Sequence, residues 1–474
     1  MGLARRVRYS RESKKTGPAL ANIIRDMKKA IASIGAIILL IVLIVGGGCG
    51  WAAARVARAV LNGQPAAPNL TVFKWCFGGL PLVDQIDKFL GDKTYVVMLQ
   101  NNTELRASGG FMGSYAKLKT QDSKLKTMEV EDIYQPDGQL VGYVEPPAPI
   151  KKAFPFGSWK LRDANWDVDF SVAGEQIAWF LEQGGEKKID GVVAVNLSLV
   201  NRILEIFGGV KTVTYDEQVT AQNLANLAQT YSEVNKEKRD FLGAVGAALF
   251  ERIKQSNLTE QMKLIKLIYE QLQKGQILIW MRDGELAASV QRLGWGGTLG
   301  NYAGDYLYIV EANLGANKAN CCVTRSVTQT VDSLSQSLRE KVSIRWENSS
   351  QFENPHPPVF WGGNYINYVR VVLPSRVSEI SVVSGLSRVS FDEEERGTLP
   401  AGRQGFKILG FWVTVPAGGS AVAELEYKSV RAGEREILVR RQPGIDSFPY
   451  KLVVDGKVVV SDTIDRDKEY TWIR

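Results

Sequence analysis

The sequence predicts an α/β domain, with helices layered on a mixed sheet, followed by an all-β sandwich, the pair held by one N-terminal transmembrane helix. Three observations predict this. Ala30–Ala54, "AIASIGAIILLIVLIVGGGCGWAAA", runs 25 residues without a charge, and about 20 apolar residues span a bilayer core. From Thr94 to about residue 322, short apolar strands alternate with stretches of helical spacing. From Val323 the helical spacing stops, and Gly, Pro and Asn punctuate runs rich in β-branched residues.

Charge supports the tether. The chain carries 58 Lys and Arg against 51 Asp and Glu. Nine of the basic and two of the acidic side chains fall within residues 1–29, so the remaining chain is balanced. A basic flank before an apolar span places that end inside and the rest outside. The balanced body gives no electrostatic footprint for nucleic acid. Residues 1–29 are therefore read as a cytoplasmic tail, 30–54 as the membrane helix and 55–90 as a linker, "NGQPAAPN", with a lead-in helix, "LPLVDQIDKFLGDK".

The α/β domain is expected over 91–322. "TYVVMLQ" is its first strand. "GSYAKLKTQDSKLKTMEVEDIY" alternates about a polar centre, as a hairpin does, and "PDG" at 136–138 reads as a turn. "AGEQIAWFLEQGG" is helical and ends on glycine, "DGVVAVN" is a buried strand, and "LSLVNRILEIFGGV" is a helix leading to a strand "KTVTY". That order predicts a parallel pair with a crossover helix. Thr220–Gly275 is a helical block, and "GDYLYIVEANLG" reads as the last strand of this sheet. The β-sandwich is expected over 323–474.

The chemistry available is limited. His356, in "NPHPP", is the one histidine, so neither a Ser-His-Asp site nor a histidine-rich zinc site can be assembled. Cys49, Cys76, Cys321 and Cys322 have no metal-ligand spacing, and an exported body leaves Cys76 free to join Cys321 or Cys322. No phosphate-binding glycine motif is present.

Two constellations remain. In "LQNNTELRASGGFMGSY", Arg106 follows a strand end, Asn102 and Glu104 stand beside it, and Ser108, Gly109 and Gly110 let backbone amides approach an anion. The same loop also reads as a hairpin turn in which Glu104 pairs with Arg106. In "LRDANWDVDF", Arg162, Asp163, Asn165, Asp167 and Asp169 crowd three carboxylates into seven residues; these are solvated, paired or bound to a divalent cation. Lys318, in "NLGANK", adds one ammonium for an anion. Trp346, Trp361, Tyr365 and Tyr368 are available either for stacking on sugars or for the core.

"VVMLQNNTELRASGGFMGSY", "DANWDVDF", "EANLGANKAN", "NYVRVVLP" and "RRQPG" resemble the bacterial family named domain of unknown function four-zero-one-two, from about Leu80 to Pro443. "IDGVVAVNLSLVNRILEIFGGVKTV" is more distantly similar to the LytR-CpsA-Psr proteins, which move glycopolymers from a polyprenyl pyrophosphate carrier to the cell wall. That resemblance implies Arg106 at the pyrophosphate with Asp163 as its catalytic companion, and Mg²⁺ on Asp163, Asp167 and Asp169. It implies as partners the membrane and a lipid-linked glycan or cell-wall polymer. The family's Arg-x-Asp-Thr pattern is absent, since Ala107 and Ser108 follow Arg106. Two functions follow: a glycopolymer transferase, or a non-catalytic envelope module that binds glycan or protein.

Overall fold

The computed structural model describes residues 85–472 apart from 123, 156, 236, 301, 335–336, 357–358, 386, 397–404 and 431–434. The basic tail, the apolar span, Cys49, Cys76 and most of the linker lie outside the described residues. Among the described residues no helix is long and apolar enough to cross a membrane.

The N-terminal unit begins with α1 (Ile86–Phe89), β1 (Lys93–Asn101), β2 (Phe111–Gln121) and β3 (Lys124–Asp132). Helices α2 (Tyr134–Gln139), α3 (Ala148–Ala153) and α4 (Phe170–Gln183) follow, then β4 (Gly191–Asn196) and α5 (Leu197–Phe207). After a small hairpin of β5 (Val210–Lys211) and β6 (Gln218–Val219) come α6 (Leu224–Glu233), α7 (Lys238–Lys254) and α8 (Leu258–Gln273). β7 (Ile277–Met281) and α9 (Gly284–Arg292) complete the unit.

The sheet order is β3-β2-β1-β4-β7. β2 and β3 form the expected hairpin. Side chains alternate across β1, so Val97 joins Val195, Leu204 and Phe250 on one face. Val96 joins Ala194, Ile177 and Leu181 under α4 on the other. All six residues of β4 are buried, as expected for a strand covered on both faces. α5 ends on Gly208 at φ +71°, a left-handed position that glycine adopts without strain.

The C-terminal unit has β8 (Asp305–Asn313), β9 (Val323–Ser333), β10 (Ser337–Asn348), β11 (Tyr365–Pro374), β12 (Ser378–Ser384) and β13 (Ser387–Arg388). It continues with β14 (Asp392–Arg396), β15 (Phe406–Val415), β16 (Ser420–Val430), β17 (Arg435–Arg440), β18 (Phe448–Val454), β19 (Lys457–Ile464) and β20 (Lys468–Trp472). One sheet runs β13-β12-β16-β10-β9-β18-β19 and the other β14-β15-β11-β8-β17-β20. A single apolar cluster, including Val342, Leu425 and Leu452 from the first sheet and Val369, Leu409 and Ile437 from the second, joins them.

Four expectations are corrected. β8, expected at the end of the α/β sheet, pairs antiparallel with β11 and parallel with β17, so it belongs to the C-terminal unit. Buried along almost its whole length, it carries no alternation that would assign it to a sheet. β4 finds its parallel partner in β1 rather than in "KTVTY", of which only Val210 and Lys211 pair, within the small hairpin. "PDG" lies inside α2, with Pro136 in the first turn, where its missing N–H costs nothing. Cys321 is bonded to its neighbour Cys322, which leaves neither thiol for Cys76.

Candidate functional site

The loop between β1 and β2 folds back on itself through Asn101, whose side-chain oxygen accepts from Thr103 N at 3.1 Å and whose carbonyl accepts from Glu104 N at 3.1 Å. It then docks on the C-terminal unit. Asn313 N at the end of β8 donates to Leu105 O, and Asn320 N donates to Thr103 O, both at 3.0 Å. Asn320 Oδ1 accepts from Leu105 N at 3.0 Å. From "RRQPG", Gln442 Nε2 donates to Arg106 O at 3.0 Å and to Glu311 O at 2.8 Å. Asn102 Nδ2 donates to Gly444 O at 3.2 Å. The amides of this loop are spent on an edge between the two units.

Arg106 is the hub of that edge. It is 2% exposed. Nε donates to Asp163 Oδ1 at 3.2 Å, Nη1 to the carbonyls of Asn313 at 2.6 Å and Leu105 at 3.1 Å, and Nη2 to Glu104 Oε1 at 3.1 Å. Burial by itself would lower its pKa, but Asp163 and Glu104 outweigh burial and keep the guanidinium charged. Burial raises the Glu104 pKa against the opposing pull of Arg106 and Lys318.

Ser108 Oγ accepts from Gln100 Nε2 at 2.7 Å and Asn165 Nδ2 at 2.9 Å, and Asn165 also donates to Gly110 O at 2.9 Å. Gly109 sits at φ +138°, where an added Cβ would lie 2.3 Å from Asn196 Oδ1. These residues shape the turn rather than present amides to solvent. Gly109→Ala should lower stability by about 1–3 kcal/mol for the backbone alone. Gly138→Ala, in open space within α2, should be neutral or slightly stabilising. Thermal melts of the two variants check the contrast.

The three aspartates do not converge. Asp163 belongs to Arg106. Asp167 accepts from Arg396 Nη1 at 2.8 Å, from Arg396 Nη2, and from Asp169 N at 2.7 Å. Asp169 caps α4, accepting from Ser171 N at 2.8 Å and Leu299 N at 3.1 Å. Among the described residues no three His, Cys, Asp or Glu side chains are grouped to hold a metal ion. The expected Mg²⁺ ligand set does not fit, because each carboxylate already serves a cation or a helix end.

Behind the loop lies a cavity of about 1180 Å³. Its walls are Val97 and Leu99 of β1, Val195 of β4, Leu199 and Ile203 of α5, Leu224 and Ala228 of α6, and Leu249 and Ile253 of α7. Of the expected site residues, Glu104, Arg106, Arg162, Asp163 and Lys318 line it. Asn102, Ser108, Gly109, Gly110, Asn165, Asp167 and Asp169 do not. Arg162 is also engaged, with Nη1 donating to Asp137 Oδ2 at 3.3 Å and the guanidinium over Tyr134.

The sequence reading missed the cavity and most of its walls. The signal available was the run of small residues in "DFLGAVGAALF" and at Ala225 and Ala228, which leave space between helices and sheet. Among the aromatics, Trp361 lines the cavity and donates Nε1 to Asn226 Oδ1 of α6 at 2.6 Å, tying the C-terminal unit to the cavity wall. Trp346 and Tyr365 are core residues whose polar tips bond Glu311, and Tyr368 is buried against Trp166. His356 is exposed in the loop between β10 and β11 and does not line the cavity.

No curated protein matches the sequence. Similar solved structures include a nutrient binding protein from Legionella pneumophila, at 9% identity and TM-score 0.19, covering 27% of this chain and 50% of that one. They also include B. subtilis TagT, at 15% identity and TM-score 0.22, covering 37% and 74%. TagT bound to LIIa-WTA stands at 14% and 0.22, covering 43% and 91%. The chain thus spans half the length of the first of these. TagT is of the LytR-CpsA-Psr family. Residues 90–231 match the model of the family described as protein of unknown function, DUF4012.

Proposed function

We propose that this is a membrane-anchored, extracytoplasmic cell-envelope protein, with a LytR-CpsA-Psr-like α/β body and a β-sandwich, that binds a polyprenyl-type lipid-linked glycan. The lipid chain occupies the cavity between the sheet and α5–α7, and its head lies at the end lined by Glu104, Arg106, Asp163 and Lys318. The observation that carries the reading is the cavity. At about 1180 Å³ it exceeds the roughly 300–1,000 Å³ of drug-sized ligand sites, and aliphatic side chains of β1, β4 and α5–α7 line it together with a set of charged and polar groups. Each methylene buried against the aliphatic part is worth about 0.8 kcal/mol, which suits a long hydrocarbon.

Binding is favoured over transfer. A transferase of the resembled kind needs a free guanidinium and a cation on carboxylates, whereas Arg106 is committed on every side and the aspartates are dispersed. The role of Arg106 is to hold the head-group end of the cavity in shape.

Lipid extracted from protein purified out of membranes, read by mass spectrometry, should contain a long-chain isoprenoid phosphate. Ala228→Trp, which fills the cavity from α6, should weaken binding of a fluorescent polyprenyl phosphate about tenfold or more, since displacing two methylenes suffices for that. Its melting temperature should be unchanged or raised. Undiminished binding in this variant would place the lipid elsewhere.

A further inference from the structure

Two loops border the polar end of the cavity, and their tips expose apolar side chains. The first, between α2 and α3, carries Val141 at 93% exposure and Tyr143 at 61%. Gly142 between them sits at φ +88°, and a Cβ added there would meet nothing within 4 Å, so this tip stands clear of the body. The base of the loop is fixed. Val144 N donates to Ser158 Oγ and Trp159 N to Val144 O, both at 2.8 Å, and Ser158 and Trp159 line the cavity. The second loop, between β10 and β11, exposes Phe352 and Val359. There Asn364 N donates to Glu353 O at 3.0 Å, and Gly362 bridges to Lys318, which lines the same cavity with Trp361.

Exposed apolar side chains scattered singly are ordinary on a protein surface, but these are gathered. Among the described residues four aromatic side chains are exposed, and three of them, Tyr134, Tyr143 and Phe352, lie at this end; the fourth is Trp179 on α4. Tyr134 also lines the cavity, beneath the Arg162 guanidinium. The exposed charges on residues 141–155 and 351–361 are Glu145, Lys151, Lys152 and Glu353, two of each sign. Aromatic and aliphatic tips without net charge suit the boundary of a lipid bilayer, where Tyr, Trp and Phe settle. They offer no field to attract a charged polymer.

We infer that these two loops dock the body on the membrane surface, seating Val141, Tyr143 and Phe352 in the headgroup boundary with the polar end of the cavity facing the lipid. Chain length permits this. β1 carries the chain about 30 Å from the side where the tether enters to the polar end, whereas residues 55–84 reach up to about 100 Å. A lipid then passes between bilayer and cavity without crossing water. The inference rests on the reading of an anchored chain whose cavity holds a lipid, and it adds which face of the body the bilayer covers.

The test uses the full chain in phosphatidylcholine nanodiscs, with Cys49→Ser and Cys76→Ser and a nitroxide on one introduced cysteine: Val141→Cys, Phe352→Cys or Val213→Cys. Val213 is exposed and follows α5, which leads the chain away from the polar end. Labels at 141 and 352 should lie about 5–10 Å inside the headgroup boundary, with oxygen accessibility above, and nickel-chelate accessibility below, those of the label at 213. Adding Val141→Asp and Tyr143→Asp to the Phe352→Cys protein should return its label to water. The melting temperature should not change, since both side chains are exposed. Ala228→Trp should leave both labels protected, which separates docking from lipid occupancy. Labels at 141 and 352 as open to water as the one at 213, or protection at 213 instead, overturn the docking face and leave the cavity reading to the lipid mass spectrum. Protection only when phosphatidylglycerol is added overturns the apolar basis of docking. Protection from oxygen and chelate alike, with dipolar broadening between labels, assigns the face to a second copy of the chain and overturns the inference. A chain that does not co-purify with nanodiscs overturns the anchored reading and this inference together.

Discussion

Arg106→Met should cost about 3–5 kcal/mol of stability, because it leaves Glu104 and Asp163 buried without their counter-charge. It also removes the two hydrogen bonds that Arg106 Nη1 donates to the Asn313 and Leu105 carbonyls. In a unit of this size that corresponds to a fall of roughly 10 °C in melting temperature. The pH dependence gives a signature that cavity loss would not. Burial already raises the Glu104 pKa, and Arg106 is the largest force opposing it. Without Arg106 the folded state binds that proton more tightly than the unfolded chain. Such a group's stabilisation is present below the unfolded carboxylate range and is lost as pH rises through the folded value. The deficit of Arg106→Met should therefore be largest near pH 7 and shrink toward pH 5. A catalytic Arg106 with no structural role would instead give a stable, inactive protein.

Glu311→Ala should cost a similar 3–5 kcal/mol, in the C-terminal unit. The Glu311 carboxylate accepts from Arg325 Nη1 at 2.6 Å, Tyr365 OH at 2.7 Å, and Trp346 Nε1 and Asn367 Nδ2 at 3.0 Å. Arg325 lies over the Phe448 ring, and both partners of the ion pair are about 3% exposed at the side chain. Removing Glu311 strands a guanidinium and three polar tips in the core. Replacing both charges, Glu311→Leu with Arg325→Met, should recover part of the loss, since an apolar pair avoids the desolvation that a lone charge incurs. Denaturant midpoints of the single and double variants check this.

The sequence was most legible where one element sets its own pattern. The spacing in "LSLVNRILEIFGGV" places α5 with its glycine end, and the alternation about "TQDSK" gives the β2–β3 hairpin. It was least legible where the decision is made by distant partners. β8 is apolar on both faces, so nothing local chooses between the two sheets. Glu104 and Arg106 were readable as a pair, but the carbonyl of Asn313 that fixes the guanidinium lies 207 residues away. The aspartates of "DANWDVDF" read as one cluster because they are close in sequence. Arg396 on β14 takes one of them, 229 residues downstream. The cavity had the faintest signature, because empty space is written only as the small side chains that fail to fill it.

The edge between the units also bears on how the protein is made. Gln442 is 336 residues downstream of Arg106, whose carbonyl it holds, and Asn102 waits for Gly444. During synthesis the loop after β1 emerges early and remains without these partners until nearly the whole chain has been translated. Its buried charges and the aliphatic hollow behind it are then open to solvent and to other chains. A fragment ending at residue 231, where the family match stops, lacks β7, α7 and α8 as well as every C-terminal partner of that loop. Such a fragment is expected to aggregate rather than to report on ligand binding.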